Sequence, residues 1–168
     1  MKGNESKTWL KKGTVCGKGD ERIAFRGEID SFYAECIVAC TVAKQANGKV
    51  FEGLAEISNI IGHIMRCEAL CESTGFCGVL GYTGDQLREI SQNPEKHFGI
   101  GYFWPDENAT PLMAQLNHLR AEVRCCERMA VRAYPDLEEW QTSIIACLNR
   151  LSSAVYILML KLKLEEDT

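Results

Sequence analysis

The chain has 168 residues, 46% hydrophobic and 25% charged, long enough for one domain with a full core and no staples. Its net charge of −4 leaves no global basic footprint, which argues against nucleic acid and requires any anion site to be a local cluster. No run approaches the ~18 apolar residues of a membrane span, and the opening MKGNESKTWLKK lacks a signal-type apolar core, so no membrane partner and a cytoplasmic location are expected.

Residues 1–19 are polar and glycine-rich and read as a flexible arm ending in GTVCGKGD, ahead of a single domain over 20–168. A first helix is expected from Glu21 to Ala46, with Ile23, Phe32, Ile37, Val38 and Val42 as apolar positions and Asn47-Gly48 as its stop. A second, Val50 to Leu70, carries Phe51, Leu54, Ile57, Ile60, Ile61 and Ile64 at helical spacing. Gly75, Gly78 and Gly81 mark residues 72–82 as a loop. A short helix follows from Thr83, a good N-cap, to Gln92, where Asn93-Pro94 ends it. The aromatic, Gly/Pro-marked KHFGIGYFWPDENATP reads as loop or edge. Helices over Pro111–Ala133, with Thr110 as cap, and Leu137–Leu164, with Asp136 as cap, complete the chain. Trp140, Ile144, Leu148, Leu151, Val155 and Leu158 form the core stripe of the last one. Four long helices and a short one predict an all-α, five-helix bundle.

Polar residues cluster on the last two helices. Arg120, Arg124 and Glu127 in LNHLRAEVRCCERMA fall within roughly 60° of one another on one face. Asn149 and Ser153 share a face in IIACLNRLSSAVYILM, with Arg150 and Ser152 beside them. Two arginines and a carboxylate opposite an Asn/Ser strip suit a polyphosphate; the same pattern also describes a solvated salt-bridge strip. Arg22, Arg26 and Asp30 climb one face of the first helix near Lys18 and Asp20. They read as an ordinary solvated face, or as Lys18 and Arg22 set on phosphate oxygens. GKGD is no phosphate loop, because GxxxxGK(S/T) is absent.

Nine cysteines without a secretion signal read as thiols. Cys36, Cys40 and Cys147 suit a core. Cys67, Cys71 and Cys77 form a CxxxCxxxxxC cluster able to contribute to a metal site, at no standard zinc spacing. Cys125 and Cys126 are adjacent and diverge. His63, His97 and His118 stand apart and read as structural. Tyr102-Phe103-Trp104 could plug a bundle end or offer a flat surface to a planar ligand.

Together these segments resemble the cobalamin adenosyltransferases, the ATP:co(I)rrinoid type, over residues 18–162, most nearly the ethanolamine-utilisation branch. DERIAFRGEIDS resembles the family's DPR…(Y/F)R/G…(V/L)D segment, and FEGLAEISNIIGHIMRCEAL its second helix. VLGYTGDQLREISQNPEKHFG resembles the middle region, LRAEVRCCER the LRxxxRxxE core, and LNRLSSAVYILM the NRLS(D/S) segment. The resemblance implies a trimeric five-helix bundle that passes the 5′-deoxyadenosyl group of ATP to Co(I) of a corrinoid such as cobalamin, releasing triphosphate. It implies service to a B12-dependent lyase such as ethanolamine ammonia-lyase, in the cytoplasm or a bacterial microcompartment. The protein would position two large substrates and stabilise the leaving triphosphate with cations and Mg²⁺.

By that resemblance Arg124 binds phosphate, helped by Lys18, Arg22 and Arg120. Glu127 orients those cations or the metal, and Asn149 binds nucleotide. Asp30 pairs with Arg124 across a homotrimer interface. Tyr102 or Phe103 is the aromatic residue below the corrin. Three departures stand out: Cys125 where the propanediol-utilisation branch has a second arginine, Ser153 where it has aspartate, and the reduced GTVCGKGD loop. The larger ethanolamine enzymes carry an added His/Cys metal motif, for which Cys67, Cys71 and Cys77 are the expected substitute with a transition metal. The reduced loop keeps a second reading open, a non-catalytic corrinoid or tetrapyrrole carrier, and a third is an interaction module.

Overall fold

The computed structural model describes residues 5–11 and 14–167. An antiparallel hairpin comes first, β1 (Lys7–Lys11) against β2 (Thr14–Gly17), with Thr8 opposite Cys16 and Trp9 opposite Val15. The described part of the arm read over residues 1–19 thus holds a strand pair, since Thr, Trp and Val favour a pleated surface. Asp20 then opens α1 (Glu21–Ala46), its carboxylate accepting from the Arg22 N–H at 2.9 Å. Asn47 serves two helices. Its N–H closes α1 on the Ala43 carbonyl at 2.7 Å, and its side chain opens α2 (Gly48–Leu70) by accepting from the Val50 N–H at 3.1 Å.

The segment after α2 contains a second hairpin, β3 (Gly78–Val79) and β4 (Tyr82–Thr83), inside the expected loop. Its turn residues Leu80 and Gly81 have φ of 59° and 77°, as a two-residue turn between right-twisted strands requires. A left-handed leucine costs about 1–2 kcal/mol. Leu80 is held there by its N–H, which donates to Glu56 Oε2 at 2.8 Å, and by its side chain, which seats over Gly53 of α2. A Cβ at Gly53 would lie 2.9 Å from Leu80 Cδ2 and 2.8 Å from Leu158 Cδ2, so that glycine makes the dock.

Thr83 and Gln86 form a capping box on α3 (Gly84–Gln92). Pro94 ends α3 as expected and also begins a further one-turn helix, α4 (Pro94–Phe98), because proline suits a first helical position. Among the described residues there are thus six helices, the five expected and this added turn. Thr110 caps α5 (Pro111–Ala133). α6 (Glu139–Glu166) starts later than expected: Leu137 sits at φ 48°, and Glu138, not Asp136, is the cap, with Gln141 returning to its N–H at 2.9 Å.

The core lies where α1 packs on α2 and α5, and α6 on α5, α2 and α3. α1 contributes Phe25, Ile29, Phe32, Cys36, Ala39 and Ala43. This stripe is partly small residues, so the larger Ile37 and Val38, expected inside, are instead 42% and 46% exposed. Every residue of α6 from Ala154 to Leu160 is buried. By length and composition α6 could cross a membrane, contrary to the expectation from the sequence; in this fold it is the central core helix. Burial pushes the Cys36 and Cys147 thiols up to about 12, which suits inert core residues.

Candidate functional site

α5, α6, α3 and the aromatic loop line an open cavity of about 270 Å³. Arg120 and Arg124 enter it from α5, Ser152, Ser153 and Tyr156 from α6, Ser91 and Gln92 from α3, and Tyr102 and Trp104 from the loop. Among the described residues no carboxylate lines it. Arg120 donates Nη2 and Nε to Asn117 Oδ1 at 3.1 and 3.3 Å, and its guanidinium lies 4.4 Å from the Trp104 ring centroid. Burial, then the charge of Arg124, holds the Arg120 pKa below its ordinary value. Arg124 is exposed and has no ion-pair partner among the described residues. Two cations with no counter-charge, faced by serine hydroxyls, make a site that an anion would complete.

Tyr156 organises the loop. Its ring lies 6.3, 6.2 and 6.4 Å from those of Tyr102, Phe103 and Trp104, and its hydroxyl accepts from the Phe103 N–H at 3.3 Å. The Tyr102 hydroxyl donates to the Gln92 carbonyl at 2.6 Å. The three rings part company: Phe103 packs on the core, while Tyr102 and Trp104 stay 63% and 64% exposed at the cavity. Of the two residues proposed to lie below the corrin, only Tyr102 lines the cavity, with Trp104 of the same aromatic run; Tyr156 was missed. Tyr156 hid inside an apolar run, yet Asn149, Ser152, Ser153 and Tyr156 fall at i, i+3, i+4 and i+7, a single helix face.

The other expected site residues stand elsewhere. Asn149 Nδ2 donates to Glu127 Oε1 at 2.7 Å, tying α6 to α5 beside the cavity rather than in its wall. Asp30 is exposed on α1, with no ion pair in the chain among the described residues. Lys18 is exposed in the turn after β2, its N–H on the Ser6 carbonyl at 2.8 Å.

Arg22 is engaged within the chain. It pairs with Glu68 of α2, donates to the Glu68 carbonyl at 2.8 Å and the Cys71 sulfur at 3.3 Å, and lies 4.9 Å from the Trp140 centroid. Burial opposes its charge, but the bonds to Cys71 and Glu68 outweigh that and hold its pKa above the ordinary value. Arg26 takes the other Glu68 oxygen at 2.5 Å and donates to the Leu10 and Trp9 carbonyls of the hairpin. The first-helix arginines are thus not a solvated strip: one buried carboxylate pairs with both.

Nor do the three metal candidates converge. Cys67 is buried, its sulfur 3.4 Å from His63 Nε2; Cys71 ends α2 at φ 58° with its sulfur on Arg22; Cys77 is exposed. Among the described residues no three His, Cys, Asp or Glu are grouped to hold a metal ion.

Residues 1–162 match the family model for cobalamin adenosyltransferase. The chain belongs to the cobalamin adenosyltransferase family. The corrinoid adenosyltransferase EutT of Escherichia coli K12 is 30% identical over 155 residues, which cover 91% of this chain and 57% of that protein. EutT of Salmonella typhimurium is 28% identical over 163 residues, 95% of this chain and 60% of its own length. The chain therefore spans less than two thirds of these curated relatives. The fold is that of the PduO-type ATP:corrinoid adenosyltransferase of Lactobacillus reuteri, in a variant complexed with cobalamin and ATP: TM-score 0.76, 20% identity, covering 98% of this chain and 93% of that one. A second variant, complexed with ATP, gives a TM-score of 0.73 at 20% identity, covering 98% and 93%.

Proposed function

We propose that this chain transfers the 5′-deoxyadenosyl group of ATP to Co(I) of a corrinoid such as cobalamin, releasing triphosphate. The observation that carries the reading is the acid-free cavity in which Arg120 and Arg124 meet the exposed rings of Tyr102 and Trp104, on a chain of the adenosyltransferase family. The reaction forms a cobalt–carbon bond at C5′ and sends the electron pair of the breaking C5′–O bond to triphosphate. The nucleophile is the substrate's own cobalt, so no side chain need act as nucleophile or acid. The protein's work is to hold two substrates in line and stabilise the growing charge on the leaving oxygens.

Arg124, which no carboxylate of its own chain pairs among the described residues, is the phosphate ligand in this reading, with Arg120 beside it. Mg²⁺ arrives on the nucleotide phosphates. Glu127, fixed by Asn149, orients the cations next to them, and Asn149 contacts the nucleotide. Tyr102 and Trp104 supply the apolar face for the corrin and keep water from it. In a homotrimer, Asp30 of the neighbouring protomer pairs with Arg124, which would explain why both are unpaired in one chain. The EutT name of the relatives supports ethanolamine utilisation and a B12-dependent lyase as consumer of the product. Nine free cysteines suit a reducing cytoplasm or a microcompartment within it.

The test is anaerobic incubation with chemically reduced cob(I)alamin, Mg²⁺ and ATP, followed by visible spectroscopy against a control without ATP. ATP-dependent adenosylcobalamin is expected, and Arg124→Ala should lower turnover by about 10²-fold or more. Full turnover in that variant would remove Arg124 from the site. Corrinoid binding without product in the unmodified protein would replace a transferase with a carrier.

A further inference from the structure

We propose that Trp104 is a positioning residue that holds the Arg120 guanidinium for nucleotide phosphate and thereby links the aromatic loop to ATP binding. The inference rests on the function proposed above. It begins with how Arg120 is held. One edge of the guanidinium donates twice to Asn117 Oδ1, and Trp104 lies 4.4 Å from it. A guanidinium has five N–H donors in a fixed fork, so an edge remains for a bidentate phosphate contact in a plane set by the ring.

The kind of partner matters. A carboxylate would orient Arg120 equally well but would neutralise it and compete with phosphate, as Glu68 does for Arg22. An indole face attracts the cation without supplying a hydrogen-bond acceptor. Next to Arg124, whose charge already disfavours a second cation, that attraction retains Arg120 in the cavity.

Trp104 can do this only while the loop is clamped. Three contacts set it: the Tyr156 ring 6.4 Å from Trp104, the Phe103 N–H on the Tyr156 hydroxyl, and the Tyr102 hydroxyl on the Gln92 carbonyl. Tyr102, two residues before Trp104, is exposed in the same cavity. A planar ligand packing on Tyr102 and Trp104 must therefore keep or shift the ring against which Arg120 rests. Nucleotide and corrinoid affinities become coupled through one side chain.

The experiment is a double-mutant cycle on the full chain. ATP affinity is measured by calorimetry, with and without cob(II)alamin under anaerobic conditions, for the unmodified protein, Trp104→Leu, Arg120→Gln and the double variant. Trp104→Leu should weaken ATP binding by about five- to tenfold, and Trp104→Phe, which keeps an aromatic face, should restore most of it. In the Arg120→Gln background the leucine should change affinity by less than about twofold, because the contact is already gone. The effect of cob(II)alamin on ATP affinity should shrink in Trp104→Leu. If Trp104→Leu acts equally in both backgrounds, or leaves ATP affinity unchanged, the inference is wrong. Should Trp104→Leu fail to fold, the same cycle run with Trp104→Phe decides, with a smaller but non-additive loss expected. An unmodified protein that adenosylates cobalamin but gives an additive cycle overturns this inference alone; one that binds no ATP overturns the proposed function with it.

Discussion

Two arginine pairs in this chain have the same sequence signature and opposite surroundings. Arg22 and Arg26 on α1, and Arg120 and Arg124 on α5, are each spaced four apart and lie on one helix face. Glu68 of α2, 2% exposed, takes both members of the first pair. The second pair meets an aromatic face and serine hydroxyls, with no carboxylate in the cavity wall among the described residues. Spacing therefore establishes that two cations share a face, while the partner from another element decides whether they hold the fold or await a ligand. A neutralised pair is structure. The unneutralised pair, with no counter-charge in the cavity wall among the described residues, is the one we propose as the binding site.

The largest expected effect comes from removing the carboxylate. Glu68→Ala would strand two guanidinium groups whose side chains are only 13% and 25% exposed, at a cost of about 3–5 kcal/mol. Arg124→Ala, at an exposed position, should change stability by no more than about 0.5 kcal/mol. Urea denaturation of the two variants side by side measures this. Similar losses in both would break the contrast, since Arg124 would then be part of the fold's support.

A smaller effect is expected at the junction with the hairpin. Among the described residues, Arg26 alone of the four arginines has hydrogen bonds that reach β1, through the Trp9 and Leu10 carbonyls. Arg26→Met keeps much of the stem's packing but removes those bonds and one of the two cations on Glu68. The expected cost is about 1–3 kcal/mol, with faster hydrogen exchange over residues 7–17 and little change in α5. Unaltered exchange in the hairpin would mean that Glu68 and Arg26 do not anchor it.

Periodicity and caps made the four long helices and the short α3 legible, because apolar spacing and Asn47, Thr83 and Thr110 are local signals. The α6 start was misplaced because Asp136 and Glu138 both offer a carboxylate, and only the left-handed Leu137 between them decides. The Arg120–Arg124 face was legible for the same reason as the helices. Its aromatic wall was not: Trp104 and Tyr156 meet across 52 residues, and no spacing rule connects a loop ring to a helix ring. Glu68 was hidden in the same way. It occurs in IMRCEAL as an ordinary helical glutamate, and its burial depends on α1 turning Arg22 and Arg26 toward it.

The smallest effect tests how tightly the α1 cluster is matched. Tyr134, 1% exposed, packs edge-on against Phe25 and Trp140, and its hydroxyl meets no hydrogen-bond partner among the described protein groups. Burial, then the charge of Glu68, pushes its pKa up, so it stays neutral beside the ion cluster. A buried hydroxyl without a partner costs stability, whereas the ring alone contributes packing. Tyr134→Phe keeps both edge contacts and removes only the oxygen, so it should be neutral or stabilising by up to about 1 kcal/mol in urea denaturation. A loss of about 1 kcal/mol or more would mean that the hydroxyl takes part in the Arg22–Arg26–Glu68 network. The corresponding change in the other cluster, Tyr156→Phe, removes a hydroxyl that does accept a bond, from the Phe103 N–H, and should cost about 1 kcal/mol. Opposite signs for one atom deleted from two buried tyrosines would separate a cluster satisfied without its phenol from one built around it.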